Sequence, residues 1–257
     1  MTRTLRIDLV QHAPIDGAID ENLAFVLETI KSSEADLVVF PELFLSGYRI
    51  TGLNALALGP EDARISALSA QCRKQRVALL LGYVELDGEQ LYDAFLAIDS
   101  DGTVLPSVRK SHLFGPERQA FSAGDSIEPV TLAGHRIGVI NCFEIEFPEI
   151  ARTLALKGAE LLVVGSANMH PYSEDHRTAT RARAIENRIP LAYVNLTGQN
   201  DEHRFCGDSR ILDADGTLLA SVDGPEEAVL RGEIELLPRR RDEFDMIGQR
   251  RTELYAT

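Results

Sequence analysis

Gly138-Val139-Ile140-Asn141-Cys142-Phe143-Glu144-Ile145-Glu146-Phe147-Pro148-Glu149 changes character halfway along its length. Residues 137–140 are an apolar, β-branched run that reads as a buried strand, whereas Pro148 and Glu149 suit the first turn of a helix. Cys142 falls at the junction. A thiol at such a place is expected to be partly exposed, to feel the positive end of a helix dipole, and to have backbone N–H groups nearby for a developing oxyanion. Taken alone, a single cysteine after an apolar strand is more often a small buried hydrophobe. The rest of the chain has to decide between packing and chemistry.

Outward from this junction, strands and helices alternate. Residues 5–10 read as a first strand, and residues 21–31 as a helix capped by Asp20 with Leu23, Val26, Leu27 and Ile30 inward. Residues 37–40 form a short continuous apolar run, as in a strand buried on both faces, and the run ends at Pro41-Glu42. A carboxylate directly after four core residues must be capped, paired or functional, unless it reaches solvent from the loop that follows. A helix over 62–75, with Ile65, Leu68 and Cys72 at helical spacing, precedes a strand over 77–83. Residues 97–105 and 211–219 echo one another, each with Asp-Gly between apolar strands, so antiparallel hairpins recur in both halves and the sheets should be mixed. Both loops lack the further ligands and the bidentate Glu a calcium loop needs. Residues 107–121 are irregular and rich in polar groups, as are many loops that carry chemistry and many that are simply solvated. Downstream come a helix over 148–157 closed by Gly158, a strand over 161–164, a helix reaching about residue 187, and strands over 191–195 and 229–236. Arg239-Arg240-Arg241 and Arg250-Arg251 belong to a charged tail, 238–257, expected to be solvated or in subunit contacts.

The chain has 257 residues, 44% hydrophobic and 26% charged, enough for one large domain over 1–257, and no low-complexity linker divides it. A formal charge of −14 repels phosphate backbones and anionic lipid, which argues against nucleic acid and membrane partners. The N-terminal stretch lacks an apolar leader core and no run approaches membrane-spanning length, so the expected location is cytoplasmic. Three widely spaced cysteines suggest neither a disulfide framework nor a metal site, and no cofactor is implied. His170 and His176 are read as surface loop histidines.

Three segments together resemble the nitrilase, or carbon–nitrogen hydrolase, superfamily. Phe40-Pro41-Glu42 with Ser46-Gly47-Tyr48 is similar to its glutamate motif, Arg109-Lys110-Ser111-His112-Leu113 to its lysine motif, and Asn141-Cys142-Phe143-Glu144 with Phe147-Pro148-Glu149 to its cysteine motif. They occur in the family's order. Glu117-Arg118-Gln119-Ala120-Phe121 resembles the segment bearing the family's second glutamate, and residues 181–187, 207–209 and 250–255 resemble downstream signatures. The resemblance implies a four-layer α-β-β-α sandwich assembled as a homodimer or larger homo-oligomer. It also implies an amidase-type enzyme that cleaves a small amide and releases ammonia and a carboxylic acid.

By this resemblance Cys142 attacks the amide carbon and Glu42 moves the protons. Lys110 and the Phe143 N–H stabilise the oxyanion, and Glu117 orients Lys110 or substrate. Tyr48, Phe143, Asn168 and Met169 are the implied substrate-binding residues, and no metal ligand is implied. Nitrile-hydrolysing members commonly carry Trp after the nucleophile, where this chain has Phe143 and no Trp at all, so an amidase is favoured over a nitrilase. An N-carbamoyl amidohydrolase is the alternative substrate reading. A non-catalytic interaction protein of the same fold would be expected to lose Glu42, Lys110 or Cys142, and all three are present. A papain-like thiol–His pair has no histidine placed as well as Glu42, and neither a GxGxxG nor a GxxxxGK[ST] run occurs.

Overall fold

The computed structural model describes residues 3–236, 243 and 245–255. The first half runs β1 (Arg3–Gln11), α1 (Ile19–Ser32), β2 (Leu37–Val39), α2 (Ala63–Gln75), β3 (Ala78–Asp87), β4 (Gln90–Ile98) and β5 (Val108–Arg109). After the short α3 (Glu117–Ala120) and β6 (Val130–Leu132), the pattern repeats as β7 (His135–Asn141), α4 (Pro148–Leu156), β8 (Leu161–Ser166), α5 (Ser173–Asn187), β9 (Leu191–Asn195), β10 (Ser209–Leu212) and β11 (Leu218–Val222). β12 (Ala228–Leu236) returns to the first half.

Two six-stranded sheets result, ordered β12-β1-β2-β3-β4-β5 and β11-β10-β9-β8-β7-β6. Each has a parallel core, β1-β2-β3 in one and β7-β8-β9 in the other, flanked by antiparallel strands. The mixed sheets expected from the two Asp-Gly hairpins are thus observed.

Alternation along the strands explains the layering, because successive side chains point to opposite faces. Leu37 and Val39 of β2 and Leu161 and Val163 of β8 fill the space between the sheets. Val38 points instead to the layer under α1 and α2, and Leu162 and Val164 to the layer under α4 and α5. Three apolar layers separate four layers of structure, the α-β-β-α sandwich.

Several local expectations are corrected. Asp20 does not cap α1: the helix starts two residues earlier than expected, at Ile19, and Asp20 lies in the first turn, where its charge meets the positive helix end. Asn22 takes over the local work, its amide oxygen accepting the Ile15 N–H at 2.8 Å. Strand β4 was legible only at its end, because Asp93 and the acidic turn Asp87-Gly88 mask it. The turn nonetheless has the Asp-Gly signature, and Gly88 takes a φ of 62° there. Arg239, Arg240 and Arg241 lie outside the described residues. Among those described, no helix is long and apolar enough to cross a membrane.

Candidate active site

The C-terminal ends of the parallel strands carry the reactive groups, as is usual for α/β sheets. Glu42 follows β2 in one sheet, and Cys142 and Ser166 sit at the ends of β7 and β8 in the other. Two of the turns are strained. Leu43, next to Glu42, has φ 48°, and Cys142 itself has φ 45°, a left-handed conformation that a non-glycine residue holds only when its surroundings demand it. Gly82 of β3 makes the Glu42 turn feasible, because a Cβ there would overlap the backbone at Pro41 and Leu43.

Cys142 does not sit at the start of α4, as the sequence suggested. It begins a 3-10 turn, Cys142–Glu146, and only after Phe147 does α4 start at Pro148. The turn is tied down at several points. Glu144 accepts the Asn141 N–H at 2.9 Å and, through its other oxygen, the Ser111 N–H at 2.8 Å. Arg183 of α5 donates to the carbonyls of Ile145 and Glu146 at 2.9 and 3.0 Å. The thiol is only 9% exposed. Burial pushes the Cys142 thiol well above its ordinary value and the Glu42 carboxylate adds to this, against the opposing pull of Lys110 and Ser166. The partial exposure expected of the thiol is thus not observed, and burial makes the base that the resemblance implies, Glu42, all the more necessary at the moment of attack.

The four residues implied as catalytic meet in one place. Lys110 is fully buried, with Nζ 2.5 Å from Glu42 Oε1, 2.9 Å from Glu117 Oε2 and 3.4 Å from Asp93 Oδ2. Burial alone would lower the Lys110 pKa, but Glu42, Asp93 and Glu117 outweigh it and hold the ammonium well above the usual lysine range. Glu42 Oε2 accepts the Ala167 N–H at 2.9 Å, and Glu117 accepts the Tyr48 hydroxyl at 2.6 Å and the Phe114 N–H at 2.8 Å. Burial raises the Glu117 carboxyl despite the neighbouring Lys110. The carboxylates of Glu42, Asp93 and Glu117 are close enough to hold a metal ion. Because Lys110 Nζ lies within 3.4 Å of all three, the cation of this cluster is the chain's own.

A cavity of about 160 Å³ opens beside Cys142, lined by Tyr48, Phe114, Glu117, Phe143, Glu146, Ala167, Asn168, Met169, Tyr172, Asp175 and His176. Tyr48, Phe143, Asn168 and Met169, the implied substrate contacts, all lie on its wall. Sequence reasoning missed Asp93, which is wholly buried, strongly raised by burial, and bonded by the Asn141 amide at 2.9 Å. A lone Asp within the apolar run 91–98 was the signal. His176 is no surface residue: it lies within α5, 4% exposed, while His170 is exposed.

Such a site, a buried thiol with a paired carboxylate–ammonium cluster at the strand ends of a four-layer sandwich, defines a thiol-dependent hydrolase of the nitrilase-fold type. A family profile described as carbon-nitrogen hydrolase matches residues 6–238, and the chain belongs to that family. It is 40% identical to a hydrolase in the pqqF 5′ region of Pseudomonas protegens, over 98% of this chain and 91% of that one. It is 35% identical to an (R)-stereoselective amidase of a Pseudomonas species, over 96% and 92%. An amidase from Nesterenkonia sp. superposes with a TM-score of 0.83 at 30% identity, covering 97% of this chain and 94% of its own. A glutamate-to-glutamine variant of that amidase carries the acetamide moiety of fluoroacetamide covalently at its active-site cysteine.

Proposed function

We propose that the chain hydrolyses the C–N bond of small linear amides through a thioester on Cys142. The observation that carries this reading is the joining of Glu42, Lys110 and Glu117 into one buried cluster beside a thiol that opens on a small cavity. Cys142 attacks the amide carbon while Glu42 takes its proton and then delivers it to the departing nitrogen. General acid help at that step is worth about 10²–10⁴ in rate, because an amide anion leaves poorly. Water activated by Glu42 then cleaves the thioester. The Lys110 ammonium and the Phe143 N–H, in the first turn of the 3-10 segment where such groups lack helical partners, stabilise both oxyanions. Glu117 holds Lys110 in place.

The cavity size and its aromatic wall of Tyr48, Phe114, Phe143 and Tyr172 favour a compact substrate. Phe143 in place of Trp favours amides over nitriles. The expected setting is a cytoplasmic homodimer or larger homo-oligomer, and the exposure of Leu254 and Tyr255 in the C-terminal tail supports a role of that segment in subunit contacts. An ammonia-release screen over simple amides, ω-amides, N-carbamoyl amino acids and nitriles tests the reading. Release from an amide that disappears in a folded Cys142→Ala variant supports it; release that survives the substitution overturns it. Turnover confined to N-carbamoyl compounds would move the assignment to that neighbouring class.

A further inference from the structure

Cys142 is approached from two sides. Glu42 and Lys110 stand on one. On the other, Ser166 at the end of β8 donates to Cys142 Sγ at 3.3 Å. Ser166 Oγ also receives the Tyr193 hydroxyl at 3.3 Å and, at 3.0 Å, the Asn168 N–H, which is shared with Asn195 Oδ1. A hydroxyl has one hydrogen and two lone pairs. With both lone pairs of Ser166 engaged, its hydrogen goes to the sulfur, and once Glu42 holds the thiol proton the sulfur can only accept.

The direction propagates. Tyr193 has given its hydrogen to Ser166, so its oxygen, 3.0 Å from His176 Nδ1, accepts from that nitrogen. This puts a hydrogen on His176 Nδ1; Nε2 lies 3.6 Å from Glu146 Oε1 on the cavity wall, beyond hydrogen-bond reach. Burial holds the Tyr193 hydroxyl well above the usual tyrosine range, so it remains a donor. His176, Tyr193 and Ser166 are all buried, on α5, β9 and β8, and the His176 ring meets the Tyr193 ring edge-on at 5.7 Å. Three hydrogen bonds from three separate elements therefore point the same way, at one sulfur, and aligned chains of this kind polarise one another.

We propose that His176 and Tyr193 are positioning residues that lock the Ser166 hydroxyl onto Cys142, stabilising the sulfur as its proton leaves for Glu42. The proposal rests on Cys142 being the nucleophile. The groups facing the sulfur are Glu42 from the loop after β2, Lys110 after β5, Glu117 of α3 and Ser166 of β8, and those facing His176 are Glu146 and Tyr193.

The test is the rate of peptide-mapped alkylation of Cys142 by iodoacetamide across pH, with kcat and KM on an accepted amide, in Ser166→Ala, Tyr193→Phe, His176→Leu and His176→Asn. Losing a hydrogen bond to a charged atom should slow alkylation of Ser166→Ala and His176→Leu about tenfold, move the profile to higher pH and lower kcat with KM unchanged. Tyr193→Phe should do the same with the least disturbance of packing. His176→Asn should recover most of the loss, because its amide N–H can take the place of Nδ1–H. A wild-type alkylation profile in folded Tyr193→Phe or His176→Leu overturns the relay, as does His176→Asn behaving like His176→Leu. Alkylation reads the sulfur without turnover, so these results are distinct from the failure of the enzyme reading, which would show as activity in Cys142→Ala.

Discussion

Replacing Lys110 by methionine keeps the length of the side chain and removes the ammonium that faces three buried carboxylates at 2.5, 2.9 and 3.4 Å. At an effective dielectric of about 20 each contact is worth roughly 5–7 kcal/mol of attraction. Desolvation of the ammonium cancels much of this, and removing one partner of a buried ionic cluster costs a net of about 3–5 kcal/mol. For a chain of this size that is on the order of 10 °C in Tm. The loss should depend on pH in a definite direction. Asp93 and Glu117 are raised by burial, so their contribution to stability is complete below the ordinary carboxyl value of about 4 and is lost as pH rises through the raised folded values. Without Lys110 that loss deepens. The Tm gap between wild type and Lys110→Met, read by thermal melts from pH 8 to pH 5, should therefore narrow toward acid, while kcat falls by about 10²–10³ at any pH where both proteins are folded. A gap that stays constant or widens toward acid would refute the claim that Lys110 offsets the cost of ionising Asp93 and Glu117.

Glu42→Gln should preserve the fold, since a carboxamide oxygen can still accept the Ala167 N–H, but should lower kcat by about 10²–10⁴ with KM little changed; steady-state activity within tenfold of wild type would remove Glu42 as the base. Tyr48→Phe deletes the 2.6 Å bond to Glu117 and should lower kcat about tenfold, the worth of one hydrogen bond to a charged group, with no change in which amides are accepted. Gly82→Ala should cost about 1–3 kcal/mol in denaturant melts and depress activity, because the new methyl group pushes on the backbone that carries Glu42; unaltered kcat would show that the turn has slack. On the alkaline side, Lys110 is held well above the usual lysine range, so its own deprotonation should begin to remove stability only as pH rises beyond about 10.4, which alkaline melts of wild type against Lys110→Met can read.

Strand ends were the most legible part of the site. Residues 37–40 and 137–140 announce buried strands by unbroken apolar runs, and a polar or nucleophilic residue directly after such a run stands out, which is how Glu42 and Cys142 were found. Lys110 and Glu117 sit in irregular chain and carry no periodic signal, so only resemblance to a family singled them out. The partners of Asp93 and His176 were out of reach for a different reason. Each residue is defined by partners distant in sequence, Lys110 and Asn141 for one and Tyr193 and Glu146 for the other, and no local pattern records such pairings. The exposure of the thiol was misjudged on the same ground: a strand end beside a helix reads locally as open, whereas Cys142 is buried by packing that local sequence does not record.

That last point bears on how the chemistry is held in register. Acid and base come from one sheet and sulfur from the other, so the separation of the sheets sets the geometry of the reaction. At the seam, Ala167 after β8 donates to Glu42, Asn141 of β7 donates to Asp93 of β4, and Glu144 accepts from Ser111. Close approach is permitted beneath them by Gly165, where any Cβ would overlap the Phe95 ring buried between the layers. A side chain at 165 would have to lift one sheet from the other, and the hydrogen bonds at the seam, being short and directional, would open before the apolar layer gave way. The site is thus a property of the inter-sheet packing, and an apolar contact between Gly165 and Phe95 helps fix the distance between Glu42 and the sulfur it must deprotonate.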